Sequence, residues 1–562
     1  MKINKIFLMF SFIIGLILTS CTDFIEPQPE KRLTTDNVIE RNAYAEGLLL
    51  KAYTNFPKEY DFGPDTAADD AVSNDPAAVA TILGDGGWTS SNNPYDRWAK
   101  SYEMFLYINT FIEIAPQVTW DWKNKIKDAY FAERLLGEAY ALRAWYGFNL
   151  LQAHGGMSSD GRLLGYPIVT KPLGPNDDYK LPRNTYAECV NQIISDIDKA
   201  IVLLPLTWAD KAGDSDYNQT KGLKFLNRIN GITAKLLKSR VLLYAASPAF
   251  SASGITYSQA AAAAAEIITN KGGLATLRAT DVEFYKSQAS TEILWASAPV
   301  QNGSSMEKSN FPPSLFGQGR TNPTQELVES FPMRDGTLFS KTANTTVNQY
   351  LDRDPRLAKY IVYNGLTFGG APIKMADVAG NIDAPNRDLN STRSSYYLKK
   401  FMVETVKVDP GKPIVGANHF YTYARFTEAL LNFAEAANEA QGPDAVVNGY
   451  TARQVINAIR TRGGITSTAY INGLDQNGLR TAIKNERRIE LCFEGHRFWD
   501  IRRWNQKVNI QSNVSGISIA ADNINTSPFV IQKQKYEDHQ IYGPIPFAET
   551  LKYDLKQNKG WQ

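Results

Sequence analysis

Cysteine and histidine are scarce in this chain. Of 562 residues, three are Cys and four are His, so a disulfide framework is excluded and packing must hold the fold. Two of the cysteines, Cys189 and Cys492, fall in helical-looking segments. His154, His419, His496 and His539 are scattered without the close spacing of a zinc site. A Gly-rich phosphate loop ending in Lys and Ser or Thr is missing, as is a G-x-S-x-G nucleophile elbow. The common nucleotide and hydrolase signatures are therefore absent, which leans the reading towards binding. An excess of one charge is missing too. The chain has 60 basic and 58 acidic residues, and without Lys2 and Lys5 the counts are equal. No global field draws the protein to nucleic acid or anionic lipid.

Long apolar runs are confined to the beginning. Lys2 and Lys5 precede Ile6 to Leu18, which then leads through Thr19 and Ser20 to Cys21. The run suits a signal-peptide core and is shorter than the about 18 to 20 residues a spanning helix needs. Leu18, Thr19 and Ser20 directly before Cys21 match a bacterial lipobox, so residues 1–20 are expected to be removed and Cys21 to be lipidated on its thiol and new amine. Several acyl chains, at about 0.8 kcal/mol per buried methylene, make a lasting anchor. A secretory signal without lipid is the alternative. Residues 21–34, with Pro27 and Pro29, then form a polar tether.

What is abundant is aromatic: 10 Trp, 28 Tyr and 26 Phe, enough to fill a core and leave flat faces for sugar rings or peptide side chains. Thr35 or Asp36 is placed to cap a helix towards Tyr53, whereas residues 56–95 are rich in Gly, Asp, Asn and Pro and read as a long loop. Between Trp122 and His154, the residues Phe131, Leu135, Ala139, Leu142, Tyr146 and Leu150 form one apolar stripe of a long helix. Similar stripes run over Tyr186 to Leu204, Ile229 to Ala246, Tyr421 to Ala440 and Ala452 to Thr461. Leu136, Gly137 and Tyr140 fit part of a tetratricopeptide helix, where the small residue permits close approach, but no steady 34-residue period follows. The expectation is a mainly α chain of helical pairs. It divides into a helical region at 35–269, a loop-rich region with short strands at 270–420, and a second helical region at 421–562.

The densest charge cluster sets Glu486, Glu490 and Glu494 four apart, followed by Arg497, Asp500 and Arg503. Two carboxylates on one face could serve glycoside hydrolysis, which needs about 5 to 10 Å between them. Leu479, Ile483 and Phe493 lie near the same face, however, and favour a structural ion network in which Arg460, Arg462, Arg487 or Arg497 pairs with the acids.

Ordered motifs then accumulate along nearly the whole chain: Cys21, Asp23, Phe24; Gly137, Glu138, Ala139, Leu142, Arg143; Pro323 to Leu327 with Asp335 and Gly336; Arg353 to Arg356; Tyr396 to Phe401; and Glu428 to Glu439. The strongest are Arg487, Glu490, Leu491, Glu494, Gly495, Arg497, Asp500, Arg503 and Trp504, and the closing Pro544, Ile545, Pro546, Gln557, Asn558 and Gly560. In these the chain resembles the SusD/RagB family of outer-membrane nutrient-binding lipoproteins. The resemblance implies a scaffold of tetratricopeptide-like helical pairs with a loop-rich ligand-binding half. It implies a lipid-anchored place on the outer face of the outer membrane and capture of oligosaccharides, or of peptides in the RagB branch. Delivery to a SusC-like TonB-dependent transporter, without catalysis, is implied as well.

The family's ligand residues vary with substrate, so candidates come from chemistry. Sugar binding wants an aromatic platform beside carboxylates, amides or Arg. Trp88 with Asn92, Asn93, Tyr95, Asp69 and Asp70 offers this in the first loop region, and Phe311, Phe316 and Arg320 offer it in the later one. A buried loop anchor is the alternative role for Trp88. No cofactor is required, and a structural Ca²⁺ among the Asp and Asn loops stays open because six to eight oxygen ligands can be gathered from distant loops.

Overall fold

The computed structural model describes residues 35–340, 346–507 and 512–561. Cys21 and the tether lie outside them. The first half of the chain is carried by α1 (Asn42–Tyr53), β1 (Ala71–Ser73), α2 (Trp98–Ile114), α3 (Lys125–His154), α4 (Tyr186–Leu203), α5 (Gly231–Ala246) and α6 (Tyr257–Asn270). A stretch of short strands follows: β2 (Ile293–Ala296), β3 (Val300–Gly303), β4 (Thr321–Pro323), β5 (Ile361–Val362), β6 (Tyr397–Leu398), β7 (Ala417–His419) and β8 (Thr422–Arg425). The chain then returns to helix with α7 (Phe426–Gln441), α8 (Ala452–Gly463), α9 (Gln476–Glu490) and α10 (Arg497–Arg503), before the hairpin of β9 (Asn513–Ile519) and β10 (Thr526–Lys533).

Local chemistry starts these helices where the periodicity places them. The Asn124 carboxamide accepts from the Ile126 and Lys127 amides at 3.0 and 3.1 Å and caps α3. Thr185 and Glu188 form a reciprocal capping box on α4. A Cβ on Gly137 would fall 2.7 Å from Leu204 Cγ, so the small residue noted in the sequence does let α3 meet the end of α4. Expectation and structure part in three places. The helix before Tyr53 breaks at Arg41, which is extended between Thr35–Glu40 and α1. The loop at 56–95 holds the short helices Gly63–Thr66 and Val79–Ile82 besides β1. The stripe from Tyr421 opens as the strand β8, and its helix begins only at Phe426.

Helices α2 to α7 pack in succession, α2 on α3, α3 on α4, α4 on α5, α5 on α6 and α6 on α7. Helical segments from both ends of the sequence therefore share one core, which includes Leu135, Leu142, Ile197, Leu236 and Leu430. At about 1.5 to 3 kcal/mol for each fully buried large apolar side chain, this core dominates stabilisation. A second cluster lies beneath the loops, with Phe284, Phe311, Tyr360, Tyr397, Phe401 and Phe493. Among the described residues the strands pair in antiparallel twos, including β1 with β4, β2 with β8, β3 with β7, β5 with β6 and β9 with β10.

The acidic cluster of α9 is an ion network joining the two cores. Glu490 is fully buried. Arg356 donates to it at 2.8 Å, Arg425 at 3.1 Å and Arg462 at 2.5 Å. Arg356 also bonds Glu486 at 2.5 Å, and Glu494 bonds Arg425 at 2.7 Å and Lys400 at 2.7 Å. Of the expected partners, Arg462 and Arg460 do face these acids, Arg460 at 3.7 Å from Glu486. Arg487 instead pairs with Asp500 and Arg497 with Asp69, each at 2.7 Å, because Arg356, Arg425 and Lys400 arrive from distant segments to fill their places. Burial alone would raise the Glu490 carboxyl, but the three guanidiniums hold it well below the usual carboxylate range. A group held ionised in this way cannot serve as a general acid near neutral pH.

Substituting Glu490→Gln should lower unfolding free energy by about 3–5 kcal/mol, because three buried guanidiniums lose their shared anion. Urea denaturation reads this directly, and a loss under about 1 kcal/mol would contradict the network's role. A second expectation concerns acid. Burial, opposed by the nearby Glu428 and Asp500 and reinforced by Arg487 and Arg240, pulls the His496 imidazole from 6.5 down to about 4. Between those values the unfolded chain binds the proton and the folded one does not. The His496 contribution is therefore complete above about pH 6.5 and lost as pH falls towards 4. Glu428 and Asp500, each held down at about 2, add their own loss only at lower pH. Denaturation midpoints at pH 7 and 4.5 should differ less in His496→Gln than in the parent chain.

Candidate ligand-binding cleft

Two loop segments far apart in sequence are stitched together before any site exists. In the β1–β4 ladder Ala71 faces Pro323 and Ser73 faces Thr321, and Thr324 Oγ1 donates to the Asp69 carbonyl at 2.7 Å. The first loop is fastened to the helices by its own acids. Arg497 grips Asp69 through two bonds of 2.7 Å, and Arg488 Nε reaches Asp70 Oδ1 at 2.5 Å. Burial works against ionisation of Asp69, yet the Arg488 and Arg497 guanidiniums hold its carboxyl far below the ordinary range. Asp69 and Asp70 are thus buried anchors, a correction to their expected place beside a ligand: arginines had already claimed their oxygens.

Between the stitched segments opens a cleft of about 620 Å³, within the usual range of small-molecule sites. Its walls come from Glu59 to Gly63, Val79, Pro94 and Tyr95 on one side, and from Ser305 to Asn310 with Arg320 on the other. Tyr95 is 6% exposed, its ring packs on Phe498 at 4.8 Å, and its hydroxyl has no partner among the described residues. Asn310 is 4% exposed; its Nδ2 donates to the Met306 carbonyl, while its Oδ1 is also unpartnered. A buried polar atom without a partner costs about 1–3 kcal/mol, so two residues of this lining each carry an unsatisfied group. Arg320 bonds Asn74 at 3.1 Å through Nη1, the one hydrogen bond of its side chain among the described residues. Tyr60 lies flat on Phe401, with centroids 3.7 Å apart and planes at 20°, and Glu59 is held by Ser305 Oγ at 2.7 and 2.8 Å. An apolar face, carboxylates, an arginine and unpaired neutral groups make a surface suited to a hydroxylated ring.

Of the residues singled out in the sequence, the cleft gathers Tyr95 and Arg320. Trp88 does not line it. The indole is 3% exposed, boxed by Phe498, Tyr536 and Trp561 at 5.7, 6.3 and 5.1 Å, with Arg502 over its face. Its Nε1 donates to Asn93 Oδ1 at 3.0 Å, which also receives the Tyr95 amide. Trp88 and Asn93 therefore act as a loop anchor, and Asn92 braces the same turn through the Gly87 carbonyl. Phe311 is buried edge-on against Phe368 at 5.2 Å. Phe316 is half exposed at the end of a short turn, away from the cleft. Glu59, Tyr60, Asp61 and Asn310 went unremarked in the sequence. The only signal for the first three was their position in the loop-rich stretch after α1, and Asn310 carried none. Among the described residues no cluster of three or more His, Cys, Asp or Glu could hold a metal ion, and no helix is long and apolar enough to cross a membrane.

Comparison with known proteins agrees with this architecture. Residues 291–561 match the family model described as SusD family, and residues 23–228 match one described as starch-binding associating with outer membrane. A SusD-like protein, P38, of Formosa agariphila is 24% identical over 544 residues, covering 92% of this chain and 95% of that one. Among solved structures, a SusD-like protein of Bacteroides fragilis superposes with a TM-score of 0.74 at 23% identity, covering 94% of this chain and 98% of its own. A laminarin-binding SusD-like protein gives 0.63 at 20% identity, covering 93% and 100%. The mainly α helical scaffold, the loop-rich half set upon it and the two family matches lead to one conclusion: the chain belongs to the SusD/RagB family.

Proposed function

We propose that this protein is a lipid-anchored binding protein of the outer-membrane surface that captures oligosaccharides and hands them to a SusC-like TonB-dependent transporter, without cleaving them. The observation that carries the reading is the cleft of about 620 Å³ whose lining brings together Tyr60, Tyr95, Asn310 and Arg320. Aromatic walls beside an amide and a guanidinium suit a hydroxyl-rich ring, which offers both CH faces and hydrogen-bonding groups. Support comes also from relatives titled as carbohydrate-binding or laminarin-binding, and from a family model named for association with the outer membrane. Anchoring through Cys21 agrees with the lipobox preceding it.

The soluble chain beginning after Cys21, titrated calorimetrically with a panel of neutral glycans and mixed peptides, should bind a glycan saturably and release no reducing ends on long incubation. Tyr95→Phe removes only a hydroxyl with no protein partner, so it should fold normally and lose about 0.5–1.5 kcal/mol of binding. Arg320→Ala should weaken every ligand of the cleft. Competition by peptides and not by glycans would replace the carbohydrate reading with peptide capture, and steady release of reducing ends by the purified chain would overturn the non-catalytic one.

A further inference from the structure

A second hollow adjoins the cleft, and Tyr60 and Asp61 belong to both. It encloses about 400 Å³ between α3, α5, β8 and the turn from Glu494 to Trp499. Aromatic rings lead into it without a gap: Tyr60 to Tyr421 at 4.6 Å, Tyr421 to Tyr423 at 5.1 Å, Tyr423 to Phe56 at 5.2 Å and Phe56 to Trp145 at 5.6 Å. We infer that this hollow is a second saccharide subsite, taking an uncharged glycosyl unit of the same oligosaccharide that occupies the neighbouring cleft.

Its charges are already matched. Arg240 grips Glu428 through two bonds of 2.6 Å, and Arg425 binds Glu494 at 2.7 and 2.9 Å, while Lys100 on the same lining pairs with Glu103 at 3.1 Å. At the rim, Arg97 and Asp61 carry opposite charges. The groups left over are neutral. Thr422, whose amide donates to the Tyr60 hydroxyl at 3.2 Å, and Asn149 both line the hollow. His496 Nδ1 faces the Arg487 guanidinium at 3.4 Å. Since arginine can only donate, that nitrogen accepts and Nε2 carries the proton. A hydroxyl, an amide and an imidazole N–H beside aromatic faces can bond hydroxyls in both senses and stack a CH face, which is the demand of a neutral sugar ring. Continuity through Tyr60 makes one chain of sugars spanning both hollows the economical occupant, and affinity should then grow with chain length.

The inference rests on the glycan-binding reading, and its test separates the two. Di- to hexasaccharides of neutral α-glucan, β-glucan, galactan, mannan and xylan would be titrated into the chain after Cys21, its Arg320→Ala variant, and the Thr422→Val, Asn149→Ala pair. The paired substitutions remove two neutral polar groups from the hollow's lining, and melting curves check that the fold is kept; if the pair melts early, Thr422→Val alone is read. In the parent chain the longest members of the bound class should exceed the shortest in affinity by about tenfold, equivalent to two neutral hydrogen bonds. The paired variant should flatten that gain while binding short members normally, and Arg320→Ala should weaken all lengths. A length gain that survives the paired substitutions, or no gain in the parent chain, overturns the second subsite while leaving glycan binding intact. Failure of every glycan at every length overturns both.

Discussion

A buried guanidinium needs acceptors, and at the heart of this protein several guanidiniums converge from different segments on one carboxylate. Glu490 at the end of α9 is shared by Arg356 from the loop-rich stretch, Arg425 at the end of β8 and Arg462 from α8. A buried ion left alone is far more costly than one left in water, so each segment is held by the desolvation that would follow its departure. The loop-rich half has only short two-stranded ladders and a modest apolar cluster of its own. It keeps its shape because these pairs clamp it to the helices.

The same device positions the cleft. Asp69 and Asp70 tie the first loop to Arg497 and Arg488, the β1–β4 ladder ties that loop to the segment before Thr324, and the Trp88 box fixes the turn leading to Tyr95. The first wall of the cleft is thus a loop with short helical turns that is fastened to the helical scaffold, the arrangement in which a binding surface can vary without disturbing its frame.

Much of the scaffold was legible in the chain because helix signals are local. The stripe through Leu135, Leu142 and Leu150 located α3, the stripe over Tyr186 to Leu204 located α4, and Gly137 marked a close helix contact, each from local sequence. The acids of α9 were recognisable as a network from their spacing and apolar neighbours. Their partners were legible only in part: Arg460 and Arg462 lie nearby in sequence, whereas Arg356 and Arg425 are brought in by the tertiary fold.

The candidate site shows the opposite balance. Trp88 and Tyr60 occur in the same loop-rich stretch with similar neighbours, and composition alone ranks the larger indole higher. Packing reverses the order, since Phe498, Tyr536 and Trp561, all from the far end of the chain, close over Trp88 and leave Tyr60 bordering two hollows. The sequence by itself determined which segments are helical, which carry the charge network and which are loops, because periodicity, caps and charge spacing act over a few residues. Which aromatic face is covered and which polar atom goes unpaired was decided only in the tertiary structure, because both depend on neighbours that the chain brings from hundreds of residues away.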